Sequence, residues 1–316
     1  MYALIICSLS YPALGQVGNY NQFPGIAPAH ILDENKAEIA FAYSLRIIDS
    51  DYNGPLIRLR NGTTNVEQDF FCTDNDRVDL DAVNTFAGGA QLFVVRWYDQ
   101  SGLGIDALQT ITNRQPRFIP DATQPYFVGD GNNDILLVQN TIGNVTDNGA
   151  EATIIGVFWA SDRADSAFGG DGPCTDRWYT HLNWNDGNVY WDCGDCSPNS
   201  SRSFAHPRPT TALPNNRLEA WGQYSFIRKD VPSNATTDTR IVRLQGIERL
   251  NGGIPQNQRY SQVNRNFGIC APVANTAGTG ALHSTVRFTE MIMYNRGKSD
   301  AFVIPIEENQ INFWNL

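Results

Sequence analysis

Positive charge is what this chain most lacks: 33 acidic residues face 23 basic ones among 316, a formal net charge of −10. The sequence-independent part of nucleic-acid affinity comes from neutralised phosphates, so no nucleic-acid partner is expected. No apolar run approaches the ~20 residues that cross a bilayer. The longest candidate, residues 2–9, has no Lys or Arg before it and is closed off by Pro12, which makes a poor secretory leader and no membrane span. There is no GxSxG elbow, P-loop or dinucleotide fingerprint, which leaves triad hydrolysis and nucleotide chemistry without a motif. Internal repeats, heptads and low-complexity tracts are missing too. Cysteines number only 6. A chain of this length buries roughly three quarters of its unfolded surface, so its core does not need cross-links to persist.

What the chain has in quantity is turn residues. Its 27 Gly and 16 Pro, with many Asn and Asp, fall between short alternating apolar runs, the pattern of a turn-rich β protein. Strands are expected at 57–60, 92–98, 135–138, 153–159, 178–183, 188–191, 221–227, 241–244 and 284–294. Helical spacing of Ile39, Ala42, Tyr43 and Leu45 predicts a short helix over 37–45, with Asp33 as its cap. A second helix is expected near 79–87, ending at Gly88-Gly89, and a third runs from a Ser299-Asp300 cap to Trp314, with Pro305 opening its final stretch. So many strands with so little helix point to two antiparallel sheets in one domain, residues 36–316. Residues 1–35 are expected to form an apolar arm docked on another subunit. The long stretches 197–216 and 251–262 are expected as outward loops.

Several segments, in order, resemble a known family. AYSLRIIDSDYNGPLIRLRNGT from Ala42, VVRWYDQSGLGIDALQ from Val94 and NRQPRFI from Asn113 resemble the entry segment of concanavalin A-like, laminin-G-like jelly rolls, and in particular the arabinofuranosidase B catalytic domain. THLNWNDGNVYWDCGDC from Thr180 is similar to their central hairpin, WGQYSF and RIVRLQGIER to the next strands, and FTEMIMYNRGKSD to the last strand and its turn into the closing helix. The resemblance implies an all-β jelly-roll sandwich with short peripheral helices. It also implies a retaining glycosidase only if two carboxyl groups stand about 5 Å apart. In that family the nucleophile is a Glu near a vicinal Cys-Cys pair, whereas no Glu occurs here between Glu151 and Glu219, and Cys193 and Cys196 are separated by two residues.

The remaining carboxylates of that region, Asp192 and Asp195, are therefore the catalytic candidates, although an Asp beside Gly after a strand is commonly a turn residue. Glu290 lies within an apolar strand, and its ordinary place is the wet face of a sandwich. Cys174, His181, Cys193 and Cys196 are the ligand types of a zinc site in an irregular spacing, with a disulfide or inert thiols as the alternative. Cys7, Cys72 and Cys270 read as packed apolar groups. Asp130 and Asp134 offer oxygen ligands to calcium, or simply close a turn. Among the hairpin aromatics, Trp184, Tyr190 and Trp191 are the ligand-binding candidates: alternation puts Tyr190 and Trp191 on opposite faces, so one ring is expected outside the core.

Taken together, these readings favour a noncatalytic structural module of an extracellular assembly. By resemblance this would be a bacteriophage virion protein of the capsid decoration, cement or tail-fibre type, joined to other virion subunits or copies of itself through residues 1–35. A carbohydrate-binding or receptor-binding module, secreted or on a virion, is the first alternative, and an arabinofuranosidase-like hydrolase the second.

Overall fold

The computed structural model describes residues 30–161, 166–197, 201–206, 219–231 and 236–316. In chain order the strands are β1 (Ile39–Ser44), β2 (Ile57–Asn61), β3 (Glu67–Phe70), β4 (Leu92–Trp97), β5 (Ala107–Leu108), β6 (Arg117–Ile119), β7 (Tyr126–Val128), β8 (Leu136–Thr141) and β9 (Ala152–Ala160). They continue with β10 (Phe168–Gly170), β11 (Arg177–His181), β12 (Asn188–Gly194), β13 (Ser203–Ala205), β14 (Ala220–Lys229), β15 (Thr237–Leu244), β16 (Ile247–Pro255), β17 (Asn266–Ile269) and β18 (Arg287–Tyr294). Three helices accompany them: α1 (Leu80–Ala87), α2 (Ile142–Val145) and α3 (Asp300–Trp314).

Every strand pairing is antiparallel. One layer runs β16, β15, β14, β9, β18, after which β18 pairs with β1 through one half and β7 through the other. From β7 the ladder continues through β6, β4 and β2 to β3. The second layer leaves β4 through β5, β8, β17, β10, β11 and β12 to β13. Because β4 belongs to both, the sheet curls into a nearly closed, all-β sandwich with short helices, as expected. Its interior is a continuous aromatic core, in which Phe127 stacks on Phe288 and Trp97 meets Phe127 edge-on.

The segment 37–45 is strand β1, not a helix. Phe41 and Tyr43 face the main core, while Ala42 joins a second cluster with Ile292, Val303 and Ile306 under α3. Covered on both sides, the strand loses its polar alternation, and a continuous apolar run of this length does not distinguish helix from strand. The α1 helix sits where expected: Asp79 accepts a hydrogen bond from the Ala82 amide at 2.9 Å, and Gly88 ends it in a left-handed conformation at φ 53°. The α3 helix holds Pro305 in its interior; burial of Val303, Ile306 and Trp314 against the sheet offsets the lost backbone bond. Residues 203–205 and 251–255, expected in loops, belong to β13 and β16, and 198–200 and 207–216 of the first of those loops lie outside the described residues.

Of the expected arm, residues 1–29 lie outside the described residues. Residues 30–35 pack on the domain itself: Ile31 and Leu32 are buried, and the Leu32 amide donates to Ile48 O at 2.8 Å. The YDQSG turn is a buried polar knot. Asp99 accepts from the amides of Ala42, Ser101 and Ile105, and Gln100 bonds the backbone of Ser44, Arg46 and Ile48. It ties β1 to the end of β4.

The α3 helix is clamped to the sheet by buried carboxylates. Glu290, fully buried rather than on a wet face, takes Arg46 Nε at 2.7 Å and Nη2 at 3.1 Å, together with Gln310 and Trp314 from α3. Burial raises its pKa, but Arg46 and these donors outweigh that and hold the carboxyl below its usual range. Glu307 of α3 reciprocates with Arg243 of β15 at 2.9 Å. Breaking such a pair strands a buried charge, so Arg46→Ala is expected to cost about 3–5 kcal/mol in urea denaturation. The half-exposed pair Arg58–Asp69 serves as the comparison, and Arg58→Ala should cost at most about 1 kcal/mol.

Candidate functional site

The β11–β12 hairpin places its side chains by simple alternation. Arg177, Tyr179 and His181 share one face of β11; opposite them on β12, Asp192 pairs with Tyr179 and Tyr190 with His181. The intervening Trp178, Trp191 and Cys193 point into the core and are fully buried. At the hairpin end, Arg177, His181, Trp184, Tyr190 and Arg202 surround a recess of about 80 Å³. The His181 and Trp184 rings lie 4.2 Å apart between centroids, and the Arg202 guanidinium sits 4.4 Å over the Tyr190 ring. Tyr190 donates its hydroxyl to Asp186 in the turn.

Two of the three expected ligand-binding aromatics, Trp184 and Tyr190, are therefore brought together. Trp191 is not: its Nε1 donates to Ile227 O at 3.2 Å inside the core. Arg177 and Arg202 escaped the sequence reading. The i, i+2, i+4 spacing of Arg177 with Tyr179 and His181 is the signal that places Arg177 on this face.

The carboxylates expected for catalysis are both engaged. Asp192 is fully buried beneath the recess, accepting from Arg202 Nη1 at 2.6 Å and from Arg177 Nη1 at 3.4 Å. Burial raises its pKa and the two arginines draw it back only in part. A raised carboxyl suits a general acid, but one that faces guanidinium groups on both oxygens and has no exposed surface cannot reach a substrate. Asp195 is held by Arg240 of β15 at 2.9 Å. The two do not form a facing pair across an open cleft.

The expected zinc set does not assemble. Cys174 and Cys196 form a disulfide, the alternative left open by their spacing, and His181 Nδ1 lies 3.3 Å from Ser166 Oγ. Cys193 is a buried free thiol whose pKa burial pushes up to about 11. Cys270 is buried and Cys72 half-buried, both free; Cys7 lies outside the described residues. Asp130 and Asp134 close one loop: Asp130 Oδ1 accepts from the amides of Asn132, Asn133 and Asp134, and Asp134 Oδ2 from the Asp130 amide. Among the described residues no group of three or more His, Cys, Asp or Glu converges on a cation position, so the calcium candidates act as turn residues.

No protein-family model matches the sequence, and no curated protein matches it. Solved structures with a similar fold include an arabinofuranosidase complexed with arabinofuranosyl-α-1,2-xylobiose, at 15% identity and a TM-score of 0.65. A substituted GH54 α-L-arabinofuranosidase soaked with 4-nitrophenyl α-L-arabinofuranoside also has 15% identity, with a TM-score of 0.57. Each is covered by 91% of this chain, which spans 65% of their length. The botulinum neurotoxin type G receptor binding domain is more distant, at 10% identity, coverage of 68% of this chain and 49% of that one, and a TM-score of 0.44. At these identities the likeness is one of fold. None of these three is a virion protein, so the bacteriophage expectation gains nothing from them.

Two stability predictions arise from this region and its neighbouring loop. The Cys174–Cys196 bond closes a loop with a sequence separation of 22, and by chain entropy a paired Cys174→Ser, Cys196→Ser variant should still fold but lose about 3 kcal/mol in urea denaturation. Burial and the neighbouring Asp130 charge push the Asp134 pKa up to about 7, against about 3.9 in an unfolded chain. The folded state then holds the extra proton, so stability is greatest below the unfolded value and falls as pH rises through about 7. Asp134→Asn keeps an acceptor for the Asp130 amide, and should shrink the difference in unfolding free energy between about pH 5 and about pH 8.

Proposed function

We propose that this chain is a noncatalytic carbohydrate-recognition module that binds a glycan at the end of the β11–β12 hairpin. The observation that carries this reading is the recess itself: indole, imidazole and phenol rings beside two arginines, in a setting where the buried carboxylates Asp192 and Asp195 are already committed to guanidinium groups and Asp186 in the turn accepts from Tyr190 and Asn188. Apolar ring faces with a few fixed polar groups are the makings of a small-ligand site, and sugars present both an apolar face and hydroxyls. The two arginines share one buried aspartate and line the recess with it. The fold likeness to arabinofuranosidases, one of them holding arabinofuranosyl-xylobiose, makes pentose-decorated oligosaccharides the first ligands to test.

The disulfide supports an oxidising, extracellular setting. The narrower virion role has no described residue and no reported neighbour behind it, and the recognition function does not depend on it.

Binding to a glycan array and to arabinofuranosyl-xylobiose by calorimetry is the direct test. Trp184→Ala should weaken any interaction by about tenfold or more, the loss of one stacked ring with its hydrogen-bonding surroundings. The wild-type chain should release no nitrophenol from 4-nitrophenyl arabinofuranoside; turnover that disappears in Asp192→Asn would show the module to be an enzyme after all.

A further inference from the structure

A second surface emerges from the strand registers alone. Trp221 of β14 stands opposite Trp159 of β9, Trp159 opposite Arg287 of β18, and Arg287 opposite Val128 of β7. The row continues from Val128 to Arg117 of β6, from Arg117 to Phe93 of β4, and from Phe93 to Arg60 of β2. Directly paired residues share a face of the sheet, so these form one unbroken cross-strand line. The inward neighbours Phe158, Phe288, Phe127 and Phe118 are buried in the core, which puts the line on the outer face, the side that α3 covers elsewhere. From Phe93 to Trp221 it crosses five strand spacings, about 24 Å.

Its members interlock as rings and cations. The Arg287 guanidinium lies 4.4 Å over Trp159 and 4.9 Å over Tyr126, whose ring in turn meets Trp221 at 5.7 Å. Trp159, Trp221, Tyr126, Phe93 and Arg287 are all half-buried, and Arg117 is exposed. Over the Phe93 end of the line opens a cleft of about 480 Å³, whose walls include Gln91, Phe93, Asn113, Arg117, Asp130 and Thr285. It is the larger of the two recesses described.

The two free arginines of this line carry no carboxylate partner. Although 33 acidic side chains are available to 23 basic ones, Arg117 and Arg287 have no ion-pair partner among the described residues, a condition they share with Arg77, Arg114, Arg249, Arg259 and Arg265. Arg60, by contrast, is spent on Gln115, Asn65 and Thr112 O. The Arg287 guanidinium stacked on two aromatic rings, together with the exposed Arg117 on the wall of a cleft that also carries amide groups and the Asp130 carboxylate, complements a ligand with carboxylates, apolar ring faces and hydroxyls in repeating order. The net charge of −10 opposes a densely charged polyanion such as nucleic acid, but leaves room for sparse acidic groups met at short range.

We infer that this line is a binding track for a linear polysaccharide carrying uronic acid carboxylates, with Arg117 and Arg287 as the carboxylate contacts and Phe93, Tyr126, Trp159 and Trp221 as the stacking faces. The track shares no residue with the hairpin recess and does not require that recess to bind anything. The probes are uronate-bearing oligosaccharides derived from pectate, alginate, glucuronoxylan and hyaluronan, their carboxyl-reduced counterparts, and a single-stranded oligothymidylate, each titrated calorimetrically into the full chain. At least one uronate series should bind, and carboxyl reduction should weaken it by about tenfold or more, the worth of a charge-assisted hydrogen bond. Arg287→Gln and Arg117→Gln, both surface changes that leave the core intact, should each cause a similar loss, while Trp184→Ala should leave the affinity unchanged. The inference is overturned if no uronate series binds, if the reduced sugars bind as well as the acids, if oligothymidylate binds more tightly than every sugar, or if Trp184→Ala removes the binding and Arg287→Gln does not.

Discussion

The most deeply buried carboxylates of this sandwich stand beside guanidinium groups, and those pairs demand that the elements carrying them stay in place. Glu290 has Arg46, Asp238 has Arg228, Asp195 has Arg240, Glu307 has Arg243, and Asp192 has both Arg202 and Arg177. Taking a carboxylate and a guanidinium out of water is expensive, and only close, hydrogen-bonded geometry returns the cost. The pairs therefore act less as a store of stability than as alignment pins. Arg46–Glu290 and Arg243–Glu307 fix where α3 lies across the sheet, while Arg240–Asp195 joins the second layer's β12 end to β15 of the first. A strand or helix shifted out of place would leave a bare charge in the core.

The same demand bears on function. Sugar cleavage by a retaining route needs two carboxyl groups free to face a substrate, one of them able to give up and recover a proton. In this chain the buried acids beneath the hairpin recess, Asp192 and Asp195, are each tied to arginine, while Asp186 in the turn accepts from Tyr190 and Asn188. The proposed recognition of a sugar, rather than attack on it, rests on that arrangement.

Much of this was legible in the chain, and the failures share a cause. Helix α1 was readable because its signals are local: an Asp cap, an amphipathic turn and a left-handed Gly. The half-exposed strands announced themselves by alternation. Strand β1 did not, because its second face is covered by α3, more than 250 residues further on in sequence, and a strand buried on both sides no longer alternates. The same remoteness hid Glu290, whose partners come from β1's end and α3, and Asp192, whose arginines lie 15 residues before it and 10 after. Trp184, Tyr190 and Trp191 were all legible as ligand candidates because they crowd one hairpin, and alternation already put Tyr190 and Trp191 on opposite faces; which of the two faces the main core was not legible, and both rings are buried, Trp191 in the main cluster and Tyr190 under the Arg202 guanidinium. The disulfide was visible as one of three outcomes for a CxxC with a distant Cys and His, beside a zinc site and inert thiols, and only proximity chooses among them.

The line from Phe93 to Trp221 could not be found in the chain by any local pattern, because its members come from six strands and each looks like an ordinary outward residue of its own strand. Register alone assembles them. That matters for interpreting acidic β-sandwiches in general: net charge describes the far field, whereas a ligand at contact meets the few side chains that the register has put side by side. Here a chain with ten surplus negative charges nevertheless sets one arginine without a carboxylate partner, Arg287, against two aromatic rings, with a second, Arg117, on the same line. An arginine stacked on indole and phenol is weakly hydrated and held in orientation before any ligand arrives, so little side-chain freedom is left to lose on binding. The interior uses arginine to neutralise acids already present in the fold, and the outer face leaves it free for an acid brought from outside.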